Sequence, residues 1–153
     1  MAAYRHRQFG TLVVVALGLG LALTLSVGAL LLGTTASLPA SLVVVTVSLV
    51  LLGALWLFHS LEVAVGEREV RVAFGPGLVR RRIPLARIQS ARAVRNPWYY
   101  GWGVRWIGRG WMFNVSGLDA VELALEGGRR FRIGTDDPQG LAAAVEAARP
   151  RAS

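Results

Sequence analysis

The chain has 153 residues, a formal charge of +8 and no cysteine. That suits one modest domain with an anchor, and it excludes a disulfide framework, a thiolate nucleophile and a cysteine metal site. All 17 basic residues are Arg, so a Schiff-base lysine and a Walker-type phosphate lysine are excluded as well.

The predicted elements begin with residues 1–10, a short basic lead carrying Arg5 and Arg7. Thr11–Phe58 follows, 48 residues without one Asp, Glu, Lys, Arg or His. It reads as two membrane-spanning helices, 11–33 and 40–58, joined by a turn at 34–39 in which Pro39 suits a helix start. At 1.5 Å per residue these helices are about 34 and 28 Å long, against a hydrocarbon core of about 30 Å. Cleavage as a signal peptide after Ala36 is the rival reading; the apolar stretch is too long for it, and a second one follows at once. Arg flanks both ends of the hairpin and is absent from its turn, so both termini are expected in the cytoplasm. Tyr4, Phe9, Trp56 and Phe58, with His6 and His59, mark the expected interface. With no ionisable group inside either span, transport by this chain alone is not expected. Ala16, Gly20, Thr24 and Gly28, four apart, form a row of small residues suited to close packing, against the second helix or a second copy of the chain.

From Leu61 the apolar period changes to two. Leu61, Val63 and Val65, then Val70, Val72 and Phe74, predict two strands joined at Gly66–Arg68, and Gly75–Gly77 is a second turn. Leu78–Ile83 is a third strand although Arg80, Arg81 and Arg82 break its alternation, residues 84–88 a short helical turn, and Gln89–Arg95 a fourth strand. Residues 96–110 are irregular and rich in aromatics: Trp98, Tyr99, Tyr100, Trp102 and Trp106, with Arg105 among them. Long ordered loops often carry function. Strands at 111–115, 121–125 and around Phe131 and Ile133 complete a set of seven, with Gly127 and Gly128 as a hairpin. Trp111 and Phe113 are expected to pack, and Glu122 and Glu126 to form a solvated edge. Asp137 caps a final helix whose first residue is Pro138 and whose Leu141, Val145 and Ala148 share one face; residues 150–153 are expected to fray.

Seven strands and a closing helix are the element order of a pleckstrin-homology domain. Asn96–Arg105, Gly110–Gly117 and Phe131–Pro138 together resemble a family of small bacterial membrane proteins. These look like a two-helix transmembrane hairpin fused to a bacterial pleckstrin-homology-like domain. The resemblance implies an α+β membrane protein of the bacterial inner membrane. Its domain, here residues 60–149, would be a seven-stranded antiparallel barrel or sandwich closed by a helix. No activity comes with the resemblance. Eukaryotic members that bind phosphoinositides carry several basic residues in the first hairpin; here Glu67 and Glu69 flank Arg68, so binding in that mode is not expected.

The chemistry offered is sparse. Gly101-Trp-Gly103 begins a dinucleotide pattern, but Trp106 stands where its third glycine belongs. Asp136 and Asp137 read as a helix cap rather than metal ligands, and no Ser, His and acid fall into a triad arrangement. The expectation is a non-enzymatic, cofactor-free adaptor or scaffold for another membrane protein, with an anionic-lipid sensor as the alternative and an enzyme with a site in the barrel mouth as the least favoured. Membrane lipids, a membrane-protein partner or a second copy are the expected partners. Nucleic acid is not expected, for want of a binding motif. The candidate surface is Arg80, Arg81, Arg82, Trp98, Tyr99, Tyr100, Trp102 and Arg105.

Overall fold

The structure, a computed structural model, describes residues 4–34 and 37–150. Strand β1 (Tyr4–Phe9) leads directly into helices α1 (Thr11–Thr34) and α2 (Leu38–Phe58), and the chain returns in β2 (Ser60–Val65). Strands β3 (Glu69–Phe74), β4 (Arg80–Pro84), β5 (Ile88–Arg95), β6 (Gly103–Trp106), β7 (Gly110–Asn114), β8 (Asp119–Leu125) and β9 (Arg130–Gly134) follow, and helix α3 (Pro138–Ala148) comes last. Three single 3-10 turns, at Leu85–Arg87, Trp98–Tyr100 and Glu126–Gly128, punctuate the strands.

Both long helices are apolar on every face. Mean hydropathy is 2.3 over Thr11–Leu31 and 2.5 over Leu38–Phe58, and almost nothing of either is covered by the rest of the chain. They are long and apolar enough to cross a membrane. In α1, Thr24 donates to the Gly20 carbonyl and Ser26 to the Ala22 carbonyl, both at 2.8 Å, which leaves no hydroxyl hydrogen without an acceptor at these two positions. Helix α1 runs to Thr34 and α2 starts at Leu38, so the connection is shorter than the sequence suggested. Thr35 and Ala36 of the expected turn lie outside the described residues, as do residues 151–153.

The β-strands form two sheets, ordered β1-β2-β3-β4 and β5-β8-β9-β7-β6. The described residues thus hold nine strands where seven were expected, in two sheets that are not closed into a barrel. The pairing is not wholly antiparallel either: β7 and β9 run parallel, Trp111 opposite Phe131. The two added strands are β1 and β6. Polar side chains occupy both faces of Tyr4-Arg-His-Arg-Gln-Phe9, which hides its period. Strand β6 is a short, exposed edge beginning at a glycine.

Strand β1 gives the basic lead a structural role. It pairs antiparallel with β2 along its full length, from Tyr4 opposite Val65 to Phe9 opposite Ser60. The whole helical hairpin is therefore an insertion between two neighbouring strands. The joint is tight. The Gly10 amide donates to the His59 carbonyl at 2.7 Å, and a Cβ on Gly10 would lie 3.0 Å from Cβ of Val115. The Gly75 amide donates to the Ser60 carbonyl at 2.8 Å, and Gly75, at φ 42°, leaves no room for a Cβ beside the Trp56 and Leu57 carbonyls. Folded unit and hairpin therefore meet without a linker.

The alternation read from the sequence fills the space between the sheets. Leu61, Val63, Val65, Val70, Val72 and Phe74 from one sheet meet Phe113, Val121, Leu123, Phe131 and Ile133 from the other, all buried. Phe58 at the end of α2 begins a file of rings, Phe58 to Phe74 to Phe113 to Phe131, each step 5.1 Å between centroids. Each buried ring or branched chain contributes roughly 1.5–3 kcal/mol. Helix α3 covers one side with Leu141 and Val145 fully buried. Asp137 caps it by accepting from the Gly140 amide at 3.0 Å.

The sheets cross. The edge strand β1 lies along the finishing ends of β7 and β9, where Gln8 donates to the Ser116 carbonyl and His6 meets Asp136. Strand β4 lies by their starting ends, beside Gly110 and Arg130. Between β4 and those starting ends a corner of the sandwich is open.

Candidate functional site

The strand pleat splits the Arg80–Arg82 cluster, because successive side chains point to opposite faces. Arg80 and Arg82 stand opposite Ala73 and Arg71 on the outer face of the first sheet. There a shallow groove of about 420 Å³ also takes in Arg5 and Glu62. Arg5 is partnered: its guanidinium donates to both Glu62 oxygens at 3.1 Å. Arg81, opposite Val72, also borders the open corner between β4 and β7, as does Arg82, so both arginines line both hollows.

The aromatic loop is fixed by topology. Strands β5 and β6 are the two edges of one five-stranded sheet, so the chain between them must cross four inter-strand spacings, about 19 Å. Residues 96–102 make that crossing with a 3-10 turn at Trp98–Tyr100 on the way, so the loop lies strapped across the end of the sheet. Its contacts follow. Asn96 is buried and accepts from Arg132 at 2.9 Å. The Arg132 guanidinium lies 5.5 Å from the centre of the Tyr100 ring, an attractive cation–ring contact. Trp102 donates from Nε1 to the Gly117 carbonyl at 3.1 Å. Arg105 folds back to donate to the Trp102 carbonyl at 3.3 Å. Gly101, at φ 65°, supplies the left-handed turn that lets the loop leave its 3-10 turn.

Two aromatics of the candidate set therefore project, Trp98 at 77% and Tyr99 at 66% exposure, edge to face at 6.1 Å. Tyr100 and Trp102 spend part of their surface holding the loop. The 116–118 turn to which Trp102 is tied also receives Gln8 through Ser116, next to the root of α1. The loop thus belongs to the end of the fold from which the helices leave. Exposed at that same end are Phe9, Trp56 and Leu78.

Two sequence readings need correction. Glu122 is no solvated edge: its side chain is 16% exposed and accepts from Arg130 at 2.9 Å and Arg132 at 2.7 Å. Phe113 packs as expected, but Trp111 is 46% exposed and stacks edge to face on Trp106 at 5.6 Å. It shares a face with Phe113, yet sits where the sandwich opens.

In the small-residue row, Gly28 is buried against Val44, where a Cβ would lie 2.6 Å from a Val44 methyl, and Gly20 faces Leu51. Ala16 is exposed. An i+4 row drifts about 40° around the helix at each step, so the row cannot keep one face from end to end.

At the opposite edge of the fold, the Tyr4 hydroxyl donates to Asp137 at 2.9 Å. That bond, followed by the Gly140 amide, holds the Asp137 carboxyl below its ordinary range. Burial first, and then the same bond, push the Tyr4 hydroxyl well above its own.

Compared with known protein families, curated proteins and solved structures, the chain gives no match. The chemistry of these surfaces rests on their own geometry.

Proposed function

We propose that this is a non-enzymatic integral membrane protein whose hairpin spans a bilayer and braces the β-sandwich against one face of it. The observation that carries the reading is the collar of exposed apolar side chains, Phe9, Trp56 and Leu78, around the helix roots, joined by Trp98 and Tyr99 from the strapped loop. Large apolar patches on a soluble surface mark an interaction site, and aromatic rings favour headgroup depth. Because β1 and β2 clamp both helix roots to one sheet, the domain cannot swing away, and the collar is held at one depth. By the Arg distribution, the sandwich and the described ends of the chain lie on the cytoplasmic side. The sequence resemblance to bacterial pleckstrin-homology-like membrane proteins agrees with this placement.

Two measurements test the reading. After a carbonate wash, the full chain stays with the membrane pellet; recovery in the supernatant would sink the proposal. In vesicles, a headgroup-level quencher dims the tryptophan emission, and Trp98→Phe removes part of the quenched fraction; an unchanged fraction would move the loop away from lipid.

The second reading is an adaptor for another membrane protein. It is favoured by Trp98 and Tyr99 being presented outward on a 3-10 turn, since exposed aromatics held in an ordered turn make binding hot spots. Trp98→Ala with Tyr99→Ala then abolishes co-purification of a discrete partner, and the headgroup quencher does not reach Trp98 in the wild type; unchanged partners in the double variant would remove this reading.

A further inference from the structure

The open corner of the sandwich is a cleft of about 270 Å³ between β4, the start of β7 and the β8–β9 turn. Its apolar lining includes Ile83 and Phe131, both buried. Around that lining stand Arg81, Arg87, Arg109 and Arg129, drawn from four separate segments. None of these four guanidiniums has an ion pair or a side-chain hydrogen bond among the described residues. Arg130, also at the rim, is held by Glu122, and Glu126 is the acid in the lining. Trp106 and Trp111 form one wall.

We infer that this cleft binds a small phosphorylated ligand through its phosphate. Four exposed arginines without a side-chain partner among the described residues border one hollow, and such a concentration of positive charge favours a multivalent anion there. The planar guanidinium fork matches phosphate oxygens in pairs. The apolar lining and the Trp pair offer a surface for a compact organic body. At this volume the cleft suits a headgroup-sized molecule; drug-sized ligands occupy clefts of about 300–1,000 Å³. The site is separate from the strapped loop: it lies by the starting ends of β7 and β9, whereas the loop is tied to the turn after β7. The same phosphate chemistry occurs in a lipid headgroup and in a free metabolite.

The test is calorimetric titration of the full chain, in mild detergent at low salt, with inorganic pyrophosphate. Saturable binding is expected, with Kd rising about tenfold or more in the Arg109→Gln plus Arg129→Gln variant, the loss expected for two charge-assisted bonds. Arg95→Gln, exposed at the other end of the second sheet, leaves Kd unchanged. Should the double variant unfold at a lower temperature, Arg81→Gln on β4 repeats the comparison. Discs containing phosphatidic acid, compared with phosphatidylglycerol discs, separate the sources. A lipid phosphate monoester in the cleft weakens pyrophosphate binding only in the former, whereas a free ligand leaves the two alike. Absence of saturable binding, or equal weakening by Arg95→Gln, would overturn the inference.

Discussion

Single residues decide the tightest joints of this fold. Gly110 starts the parallel pair of β7 and β9, and a Cβ there would fall on the Arg130 carbonyl. Since the obstacle is backbone, no side chain can move aside, and Gly110→Ala is expected to cost about 1–3 kcal/mol or more. Denaturant unfolding measures it. The Tyr4–Asp137 bond adds a pH dependence with two limbs. Asp137 is held below its unfolded value, so its contribution is present above the ordinary carboxylate range and disappears as pH falls through the folded value. Tyr4 is held above its unfolded value, so its contribution is full below the ordinary phenol range, about pH 10, and fades as pH rises beyond it. Tyr4→Phe should lower the unfolding midpoint at neutral pH and flatten both limbs. Unchanged limbs would assign them to other groups. Asp137 as a cap was legible because an acid before a proline has a local cause. Its partner Tyr4, 133 positions away, had no local signature.

Helix packing and the strapped loop set the next level of organisation. Helix α1 packs on α2 through Gly20 and Gly28 rather than through the whole small-residue row. Gly28→Leu is therefore expected to cost about 1–3 kcal/mol by overpacking, whereas Ala16→Leu changes stability by less than about 0.5 kcal/mol. Thermal unfolding in detergent separates the two. Equal losses would mean that Ala16 faces a second copy of the chain. The aromatic loop was legible as unusual but not as a strap. Its course depends on β5 and β6 being opposite edges of one sheet, which no periodicity in residues 88–106 encodes.

For the whole molecule, the consequence of β1 is that sandwich and hairpin are one body. Residues 60–153 alone lack the strand that covers the edge of β2, and an uncovered edge invites pairing between copies. That fragment is expected to unfold at a lower temperature than the sandwich in the full chain and to self-associate on size exclusion. A stable, monomeric fragment would show that β1 contributes little.

Local patterns in the chain are enough to specify the two apolar helices, the inward faces of β2, β3, β8 and β9, the glycine turns and the capped final helix. Each of these follows from a period or a short-range preference. Only long-range packing sets that Tyr4–Phe9 pairs with Ser60–Val65, that β7 runs parallel to β9, and that Arg81, Arg87, Arg109 and Arg129 border one cleft. Those outcomes depend on which distant segments exclude water together. A side chain's neighbours across a sheet leave no mark on its neighbours along the chain.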